Sequence, residues 1–344
     1  MTETVDLRRG AYHDSVSLMQ VSRAVARTPG VDAAQVAMAT ELNVEVLTGM
    51  GFTVPEGAGP NDLVIALRAT DDAALAAGLA PGTATASLGT ATAVIARAEA
   101  PRFSPEHGGI PCFPYLAGGQ WVLEAPLATT GGALRWLRDT LQSPVGGGTD
   151  PDRPGSVPPP TGDSEVPGSY GQMIAAAEAV PPGAGGVLFF PYLAGAGAPF
   201  WRGDTRGAFC GLTLGSGRGH MTRAVLEAAA YDIAANLEHM RALGCAVERL
   251  VLFGGGARSA LWPEIIAAVC DVPVLAGADS EAASRGAAML AGMALGVDTG
   301  PLRLSVAPVQ TPEDWRASYG SLRSAFDQAR EAYFAFDGRL RGVT

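Results

Sequence analysis

Along residues 1–70, short continuous apolar runs alternate with stretches in which apolar residues recur three or four positions apart. The first pattern is typical of strands and the second of amphipathic helices. Their alternation predicts a small β-α-β-α-β unit. The predicted elements are, in chain order, a strand at Val5–Tyr12, a helix at Ser15–Ala26, a strand at Ala33–Ala39, a helix at Glu41–Met50 and a strand at Leu63–Leu67.

After Gly82 the chain alternates Thr, Ala and Gly, which predicts a β-hairpin that turns at Leu88-Gly89-Thr90. Further along, residues 143–168 contain runs of Gly and Pro with almost no apolar residue, so they predict a loop or linker. The elements predicted before that loop are strands at Thr83–Ala86, Ala91–Ala96 and Trp121–Ala125 and a helix at Gly132–Leu141.

The rest of the chain has a clearer α/β pattern. A strand runs directly into Gly254-Gly255-Gly256 and is followed by a helix, a strand and a helix, which is the order of a nucleotide-binding sheet. The predicted strands are Val187–Tyr192, Arg249–Phe253 and Val272–Leu275, and the predicted helices are His220–Leu243, Leu261–Val269 and Glu281–Leu295.

Composition excludes several functional classes. The 344 residues are 47% hydrophobic and 17% charged, enough for one large or two ordinary domains with a real core. The formal net charge of −10 disfavours nucleic acid as a partner. The chain contains no lysine, which excludes a P-loop lysine, a Schiff-base lysine and a Ser-Lys dyad.

The four cysteines are scattered without a Cys-x-x-Cys pair, so we expect neither a disulfide framework nor a metal site. Acidic residues stand near the N-terminus where a signal peptide needs positive charge. The longest uncharged stretch, 73–96, contains a proline and several glycines, unlike a membrane helix. These features predict a reduced, cytoplasmic protein with no membrane partner.

Two turns could bind a ligand. Glycines at Gly254-Gly255-Gly256 let a ligand approach the backbone at a helix start, but a tight turn without a ligand explains them equally well. Ser259 stands where a dinucleotide fingerprint has its third glycine, so a dinucleotide fold is poorly supported. The turn Ser87-Leu88-Gly89-Thr90 can wrap phosphate oxygens with amide and hydroxyl groups.

The acidic pair Asp71-Asp72 precedes that turn. A carboxylate there could act as a general base or reach Mg²⁺. Capping of a helix that begins at Ala73 is at least as good an explanation from the sequence alone.

Residues 71–335 resemble the FGGY carbohydrate kinases, most closely their xylulokinase-like branch. A signature of that family is matched by Gly207-Ala208-Phe209-Cys210-Gly211-Leu212, seven residues later followed by His220-Met221-Thr222-Arg223-Ala224-Val225-Leu226-Glu227. Ser87-Leu88-Gly89-Thr90, Gly131–Leu137, Pro191–Gly195, Gly254–Trp262 and the segment 281–288 occur in the family's order.

The resemblance implies an α/β fold with an actin-like (RNase H-like) ATPase lobe. It also implies ATP-dependent phosphorylation of a ketose or polyol, a small-molecule sugar, with ATP and Mg²⁺ as cofactors. Asp71 falls where the family has its catalytic base, although Thr70 and Asp72 flank it in place of the family's glycine and asparagine. The nucleotide-binding residues implied are Ser87, Gly89 and Thr90 for the phosphates and Gly254, Gly255, Gly256 and Ser259 for the adenosine.

Residues 1–70 resemble instead the opening segment of FdrA-type proteins, through Gly10–Met19, Met38-Ala39-Thr40 and Gly59–Leu63. We therefore expect a unit at 1–70, a kinase lobe at 71–335 and a tail at 336–344, with the first lobe of a two-lobed kinase missing. Two hypotheses follow: a carbohydrate kinase, or a non-catalytic nucleotide-binding or regulatory remnant of one. A homodimer formed through residues 1–70 is a further expectation.

Overall fold

The computed structural model describes residues 2–9, 22, 31–69, 82–102, 109–114, 121–142, 169–277 and 305–342. Several predicted features lie outside these residues: the helix Ser15–Ala26 except for Ser22, Asp71, the loop 143–168 and the helix Glu281–Leu295. The described strands form one three-stranded, one seven-stranded and one two-stranded sheet.

The N-terminal unit contains the three-stranded sheet, with β3 in the centre and antiparallel to both neighbours. Since β1 and β2 both run opposite to β3, they are parallel to each other. The described elements follow one another as strand, strand, helix and strand, which is the order predicted for these positions. Its elements are β1 at Thr2–Arg8, β2 at Val31–Met38, α1 at Glu41–Gly49 and β3 at Leu63–Ala69.

This unit has its own small core, and side-chain hydrogen bonds fix the start of its helix and the edge of its sheet. Thr40 begins α1 because its hydroxyl accepts a hydrogen bond from the Asn43 N–H at 3.4 Å. At the outer edge of β2, the Ser22 hydroxyl accepts from the Val36 N–H at 2.8 Å and donates to the Val36 carbonyl at 3.1 Å. Its core cluster of buried residues contains Ala39, Leu47, Phe52, Val64 and Ala66.

The remaining elements form what we call the lobe, residues 82–342. Its strands are β4 at Thr83–Ser87, β5 at Thr92–Ala98, β6 at Cys112–Pro114, β7 at Trp121–Leu127, β8 at Leu188–Phe190, β9 at Ala208–Cys210, β10 at Arg249–Phe253, β11 at Val274–Ala276 and β12 at Ala307–Pro308. Its helices are α2 at Gly131–Gln142, α3 at Tyr170–Glu178, α4 at Arg218–Ala242, α5 at Leu261–Val269 and α6 at Glu313–Arg341, with short 3-10 turns at Ala184–Gly186 and Gly255–Arg258.

The seven-stranded sheet has the order β12-β11-β10-β4-β5-β7-β6. β4 and β5 form the predicted hairpin, and β7 continues it antiparallel. β10 joins the other side of β4 in parallel, and β11 follows β10 in parallel. Because β4 and β10 point the same way, with Ser87 opposite Phe253, their exit loops meet at one edge of the sheet.

Helix α4 lies at the centre of the lobe and has 25 residues. It is buried on nearly all sides from Thr222 to Met240, so it has no polar face of the usual kind. Helix α6, which has 29 residues, packs against this core through Tyr319, Phe326 and Phe334. The sequence pattern did not predict α6, and the helix continues past position 335 into the segment assigned to a tail.

Two further differences from the predictions have local causes. The strand expected at Val187–Tyr192 is shorter, at Leu188–Phe190. Pro191 follows it and has no N–H with which to extend the pairing to β9. Helix α3 was also not predicted; it begins after the long Gly- and Pro-rich segment, where Ser169 accepts a hydrogen bond from the Gln172 N–H. No described helix is both long and apolar enough to cross a bilayer.

Candidate functional site

The two predicted ligand-binding turns lie side by side. The Leu88 N–H donates to the Phe253 carbonyl at 2.8 Å, and the Gly256 N–H donates to the Leu88 carbonyl at 2.9 Å. The turn 87–90 and the turn 254–259 therefore form a single rim above the carboxyl ends of β4 and β10. Crevices at this end of parallel strands are the usual ligand sites of open α/β sheets.

The glycines of the second turn have different roles: two are required by the tight turn, and one leaves the backbone accessible to a ligand. Gly254 has a φ of +88°, and a Cβ on Gly256 would lie 2.8 Å from the Leu88 Cβ, so the tight turn itself requires both. Gly255 is exposed, and a Cβ there would meet no heavy atom within 4 Å. Gly255 is thus the position of this turn that leaves its backbone open to a ligand.

The residues of the rim differ in whether they are already hydrogen-bonded within the protein or exposed to solvent. The Ser87 hydroxyl accepts from the Ala93 N–H at 3.1 Å, and the Ser259 hydroxyl accepts from the Trp262 N–H of the first turn of α5 at 3.4 Å. Gly89 and Thr90 are exposed. The structure brings together all the predicted nucleotide-binding residues, while the predicted base, Asp71, lies outside the described part.

The start of α2 supports the phosphate turn, a role that sequence reasoning missed. The Gly131 N–H donates to the Gly89 carbonyl at 3.0 Å, and the Gly132 N–H donates to the Thr90 carbonyl at 2.8 Å. A Cβ on Gly131 would lie 2.3 Å from the Gly89 oxygen, so only glycine fits. The available signal was the pair of glycines at the start of a helix, where Gly is usually outnumbered by Ser, Thr, Asn and Asp.

A second loop, residues 191–206, lies against the same end of the sheet. The Ala198 N–H donates to the Pro126 carbonyl at 3.0 Å, and the Asn236 side chain donates to the Ala198 carbonyl at 2.9 Å. A Cβ on Gly197 would be 2.1 Å from the Pro126 oxygen. These contacts join the end of β7, the loop 191–206 and α4.

Charged residues of the quoted signature are buried in the core, away from the rim. Arg223 and Glu227 form an ion pair of 3.0 Å, and both bond to the Tyr319 hydroxyl at 2.7 Å. The Gly183 N–H also donates to Glu227 at 2.9 Å. Burial raises the pKa of Glu227, and these hydrogen bonds oppose the rise. The signature therefore carries a structural network whose role the sequence alone did not reveal.

A second buried acidic residue, Asp232, lies five positions after Glu227 on α4. Burial raises its pKa to about 7, although Arg330 of α6 stands 3.8 Å away and opposes the rise. Arg330 also pairs with Asp327 at 2.7 Å and lies over the Phe200 ring at 4.2 Å. These contacts link α4, α6 and the loop 191–206.

Nothing among the described side chains forms a metal site: no group of three or more His, Cys, Asp or Glu residues could hold an ion there. A Mg²⁺ ion that arrives with a nucleotide commonly needs only one or two protein carboxylates besides the phosphates.

Two family models match different parts of the chain. The model described as "FGGY family of carbohydrate kinases, C-terminal domain" matches residues 84–295. The model described as "AllF, heavy metal-associated domain" matches residues 1–95. The overlap, 84–95, falls in β4 and β5, which pair within the seven-stranded sheet and so belong structurally to the lobe. The FdrA-type resemblance stays a prediction.

Known kinases resemble the chain over its larger part. Gluconokinase from Bacillus subtilis is 31% identical over 210 residues, which cover 59% of this chain and 37% of the relative. Glycerol kinase from Citrifermentans bemidjiense is 32% identical over 255 residues, covering 72% of this chain and 46% of the relative. The crystal structure of xylulose kinase from Rhodospirillum rubrum superposes with a TM-score of 0.65 at 25% identity, covering 90% of this chain and 57% of that one.

The donor set of the N-terminal unit does not fit a heavy-metal ion. Residues 1–95 contain no cysteine, and His13 is their one histidine. Soft metals select thiolate and thioether ligands, and imidazole serves the borderline ions. Besides that imidazole, the soft donors of this unit are methionine thioethers with no thiolate, which is a poor set for such an ion.

Proposed function

Since this chain belongs to the FGGY family of carbohydrate kinases, we propose that the rim above β4 and β10 binds ATP for transfer of its γ-phosphate to a small carbohydrate or polyol. One observation carries the proposal. The turn 87–90 and the turn 254–259 are hydrogen-bonded to each other at the carboxyl ends of neighbouring parallel strands. The first turn would hold the phosphates, and the second would line the adenosine.

In the proposed reaction Asp71 takes the proton from the sugar hydroxyl as that oxygen forms a bond to the γ-phosphorus and the bond to the β-phosphate oxygen breaks. The products are the sugar phosphate and ADP. The Gly89 N–H already donates to the Ser87 carbonyl at 3.0 Å, so the amide and hydroxyl of Thr90 would orient the phosphates and stabilise the added negative charge. Mg²⁺ bound with the nucleotide would supply further positive charge to the phosphate oxygens.

For the acceptor we propose a ketose or polyol of the xylulose type. The similarity to the R. rubrum xylulose kinase supports this choice, because it extends over 90% of this chain. The gluconokinase and glycerol kinase relatives name competing acceptors, so an assay must include all three.

A second candidate is a nucleotide-binding module without transfer activity. The chain spans 37% and 46% of the length of the gluconokinase and glycerol kinase it matches. Phosphoryl transfer depends on groups that surround the phosphates and exclude water, and loss of one side of such a site costs many powers of ten in rate. This candidate predicts nucleotide binding with no detectable sugar phosphate.

Calorimetric titration with ADP and with ATP plus Mg²⁺ tests the shared premise, using Gly255→Asp as the variant. A Cβ at this exposed position meets no heavy atom within 4 Å, so we expect the fold to be preserved while the bulk and charge of the new side chain enter the adenosine position. We expect saturable binding to the natural chain and a loss of at least about 10-fold in affinity in the variant.

Transfer is then assayed with D-xylulose, D-gluconate and glycerol, with Asp71→Asn as the matched control. Turnover that disappears in Asp71→Asn supports the kinase, and binding without turnover supports the second candidate. Absence of nucleotide binding by a folded chain contradicts both.

A further inference from the structure

One exposed aromatic side chain of the loop 191–206 has no part in the site described so far. Trp201 is 47% exposed, whereas Trp262 is buried and Trp136 stacks on Phe189 with the ring centroids 6.4 Å apart. Among the described residues, no other ring and no guanidinium packs against the Trp201 indole. Its apolar surface is therefore open to a ligand.

A continuous path of contacts joins Trp201 to the phosphate turn. The Trp201 N–H donates to the Gly197 carbonyl at 2.9 Å, and Gly197 lies against Pro126 at the end of β7. Pro126 pairs with Ala93 of β5, whose N–H donates to the Ser87 hydroxyl at 3.1 Å. Because β4 and β7 are two strand spacings apart, Ser87 and Pro126 lie about 10 Å from each other at the same edge of the sheet.

The beginning of the loop 191–206 also touches the support of the phosphate turn. The Thr129 hydroxyl donates to the Pro191 carbonyl. The next residue, Thr130, donates its N–H to the Thr90 carbonyl at 3.1 Å. The loop that carries Trp201 and the turn proposed for the phosphates are therefore neighbours, so a single substrate complex can touch both.

The Trp201 ring is held in one orientation although it is exposed. Its Nε1–H donates to the Gly109 carbonyl, in the loop before β6. Its φ of +51° lies in the left-handed region, which bulky side chains rarely adopt. Such backbone persists where surrounding contacts impose it, and it is common at ligand-binding positions. A ring that is fixed before the ligand arrives loses little conformational entropy on binding.

The chemistry of the indole indicates which part of a substrate it contacts. The face of an aromatic ring is electronegative, so it attracts the weakly positive C–H groups of a carbohydrate or polyol and repels phosphate oxygens. The one polar group of the ring is already bonded to Gly109. We infer that Trp201 packs against the carbon skeleton of the acceptor whose hydroxyl receives the γ-phosphate at the turn 87–90. This inference rests on the proposed function, because it requires a nucleotide at that turn.

The test measures acceptor binding separately from nucleotide binding, by calorimetric titration of the full chain. D-xylulose is titrated into the chain saturated with ADP and Mg²⁺, and ADP is titrated alone. We expect Trp201→Ala to weaken D-xylulose binding by about 10-fold and to leave ADP binding unchanged, because it removes apolar contact with the acceptor only. Trp201→Phe keeps a ring and should lose less. Phe336→Ala removes a similarly exposed ring from α6 and should match the natural chain.

Fluorescence gives a readout that a merely structural role would not move. D-xylulose should change the tryptophan emission of the ADP-loaded natural chain, because the acceptor covers an exposed indole. The change should disappear in Trp201→Phe, while the urea midpoint of that variant stays equal to that of the natural chain.

The outcomes separate this inference from the function beneath it. If the natural chain binds ADP and Trp201→Ala binds D-xylulose as tightly as the natural chain does, Trp201 does not contact the acceptor, and the nucleotide site stands. Failure of the ADP-loaded natural chain to bind D-xylulose overturns the inference in the same way. An equal loss of affinity for ADP and D-xylulose overturns it as well, because it assigns Trp201 to folding or to the base. If the natural, folded chain binds no ADP, the proposed function itself fails.

Discussion

The N-terminal unit and the lobe are stabilised in different ways. The unit's core cluster comes from positions 39–66, and its most distant strand pairing joins Thr2 to Ala69. The lobe depends on contacts between distant positions, as in the bonds from Arg223 and Glu227 to Tyr319. Local contacts form at a low entropic cost, and distant ones bring more of the chain together. We therefore expect the unit to survive damage to the lobe.

The largest expected effect comes from Glu227→Ala. It leaves Arg223 buried with one side-chain partner lost, and removing one member of a buried pair costs about 3–5 kcal/mol. All five tryptophans lie in the lobe, so their fluorescence during urea unfolding reports on the lobe alone. The midpoint should fall strongly, and less in Glu227→Gln, which keeps an oxygen acceptor for Tyr319.

The matched control perturbs the other region. Leu47→Ala empties the centre of the N-terminal core and should cost about 3 kcal/mol there. Amide hydrogen exchange in residues 31–69 should rise while the tryptophan transition stays in place. A shift of that transition by Leu47→Ala would show that the two regions unfold together, contrary to the comparison.

A smaller effect is the pH dependence of the lobe. Burial raises the pKa of Asp232 to about 7, above the value of about 4 for an unfolded carboxyl. Folding therefore takes up a proton between these two pH values, and stability falls as pH rises from 5 toward 8, by about 3 kcal/mol. Asp232→Asn should flatten this slope in urea titrations followed by tryptophan fluorescence. A wild-type stability that rises over the same range would contradict the assignment, since the raised pKa of Glu227 acts in the same direction.

The smallest effect is expected for added metal ions, which should not change the N-terminal unit. Zn²⁺ or Cu⁺ added to the full chain should leave amide exchange in residues 31–69 unchanged, because a ligand protects a fold only where it binds. Residues 1–95 offer no thiolate with which to bind such an ion. Increased protection at micromolar metal would contradict this expectation.

The sequence predicted the lobe best where clear local patterns follow one another along the chain. The strand Arg249–Phe253 and the helix Leu261–Val269 were predicted to the residue, because an apolar run, a glycine turn and a helical stripe follow one another there. Helix α6 escaped prediction because its buried positions, such as Tyr319 and Phe326, lie among exposed charges and small residues.

The candidate site was predictable in its loops but not in its support. Ser87-Leu88-Gly89-Thr90 and Gly254-Gly255-Gly256 carry their own chemistry in the sequence. The close approach of Gly131 to the Gly89 carbonyl arises only when α2 packs against the sheet, and no local sequence pattern encodes it. The same holds for the Tyr319 hydroxyl, whose partners are 92 and 96 positions away. The role of Asp71 stays a prediction.

Helix α6 has a consequence for the order in which the protein matures on the ribosome. The N-terminal unit can fold once residue 69 has emerged, since its described sheet and core cluster are formed by residues up to that point. The lobe's buried arginine and glutamate must wait for Tyr319 before their hydrogen bonds are complete. During that interval the nascent lobe exposes the apolar surface of α4, and it is the stage at which chaperones would be needed most.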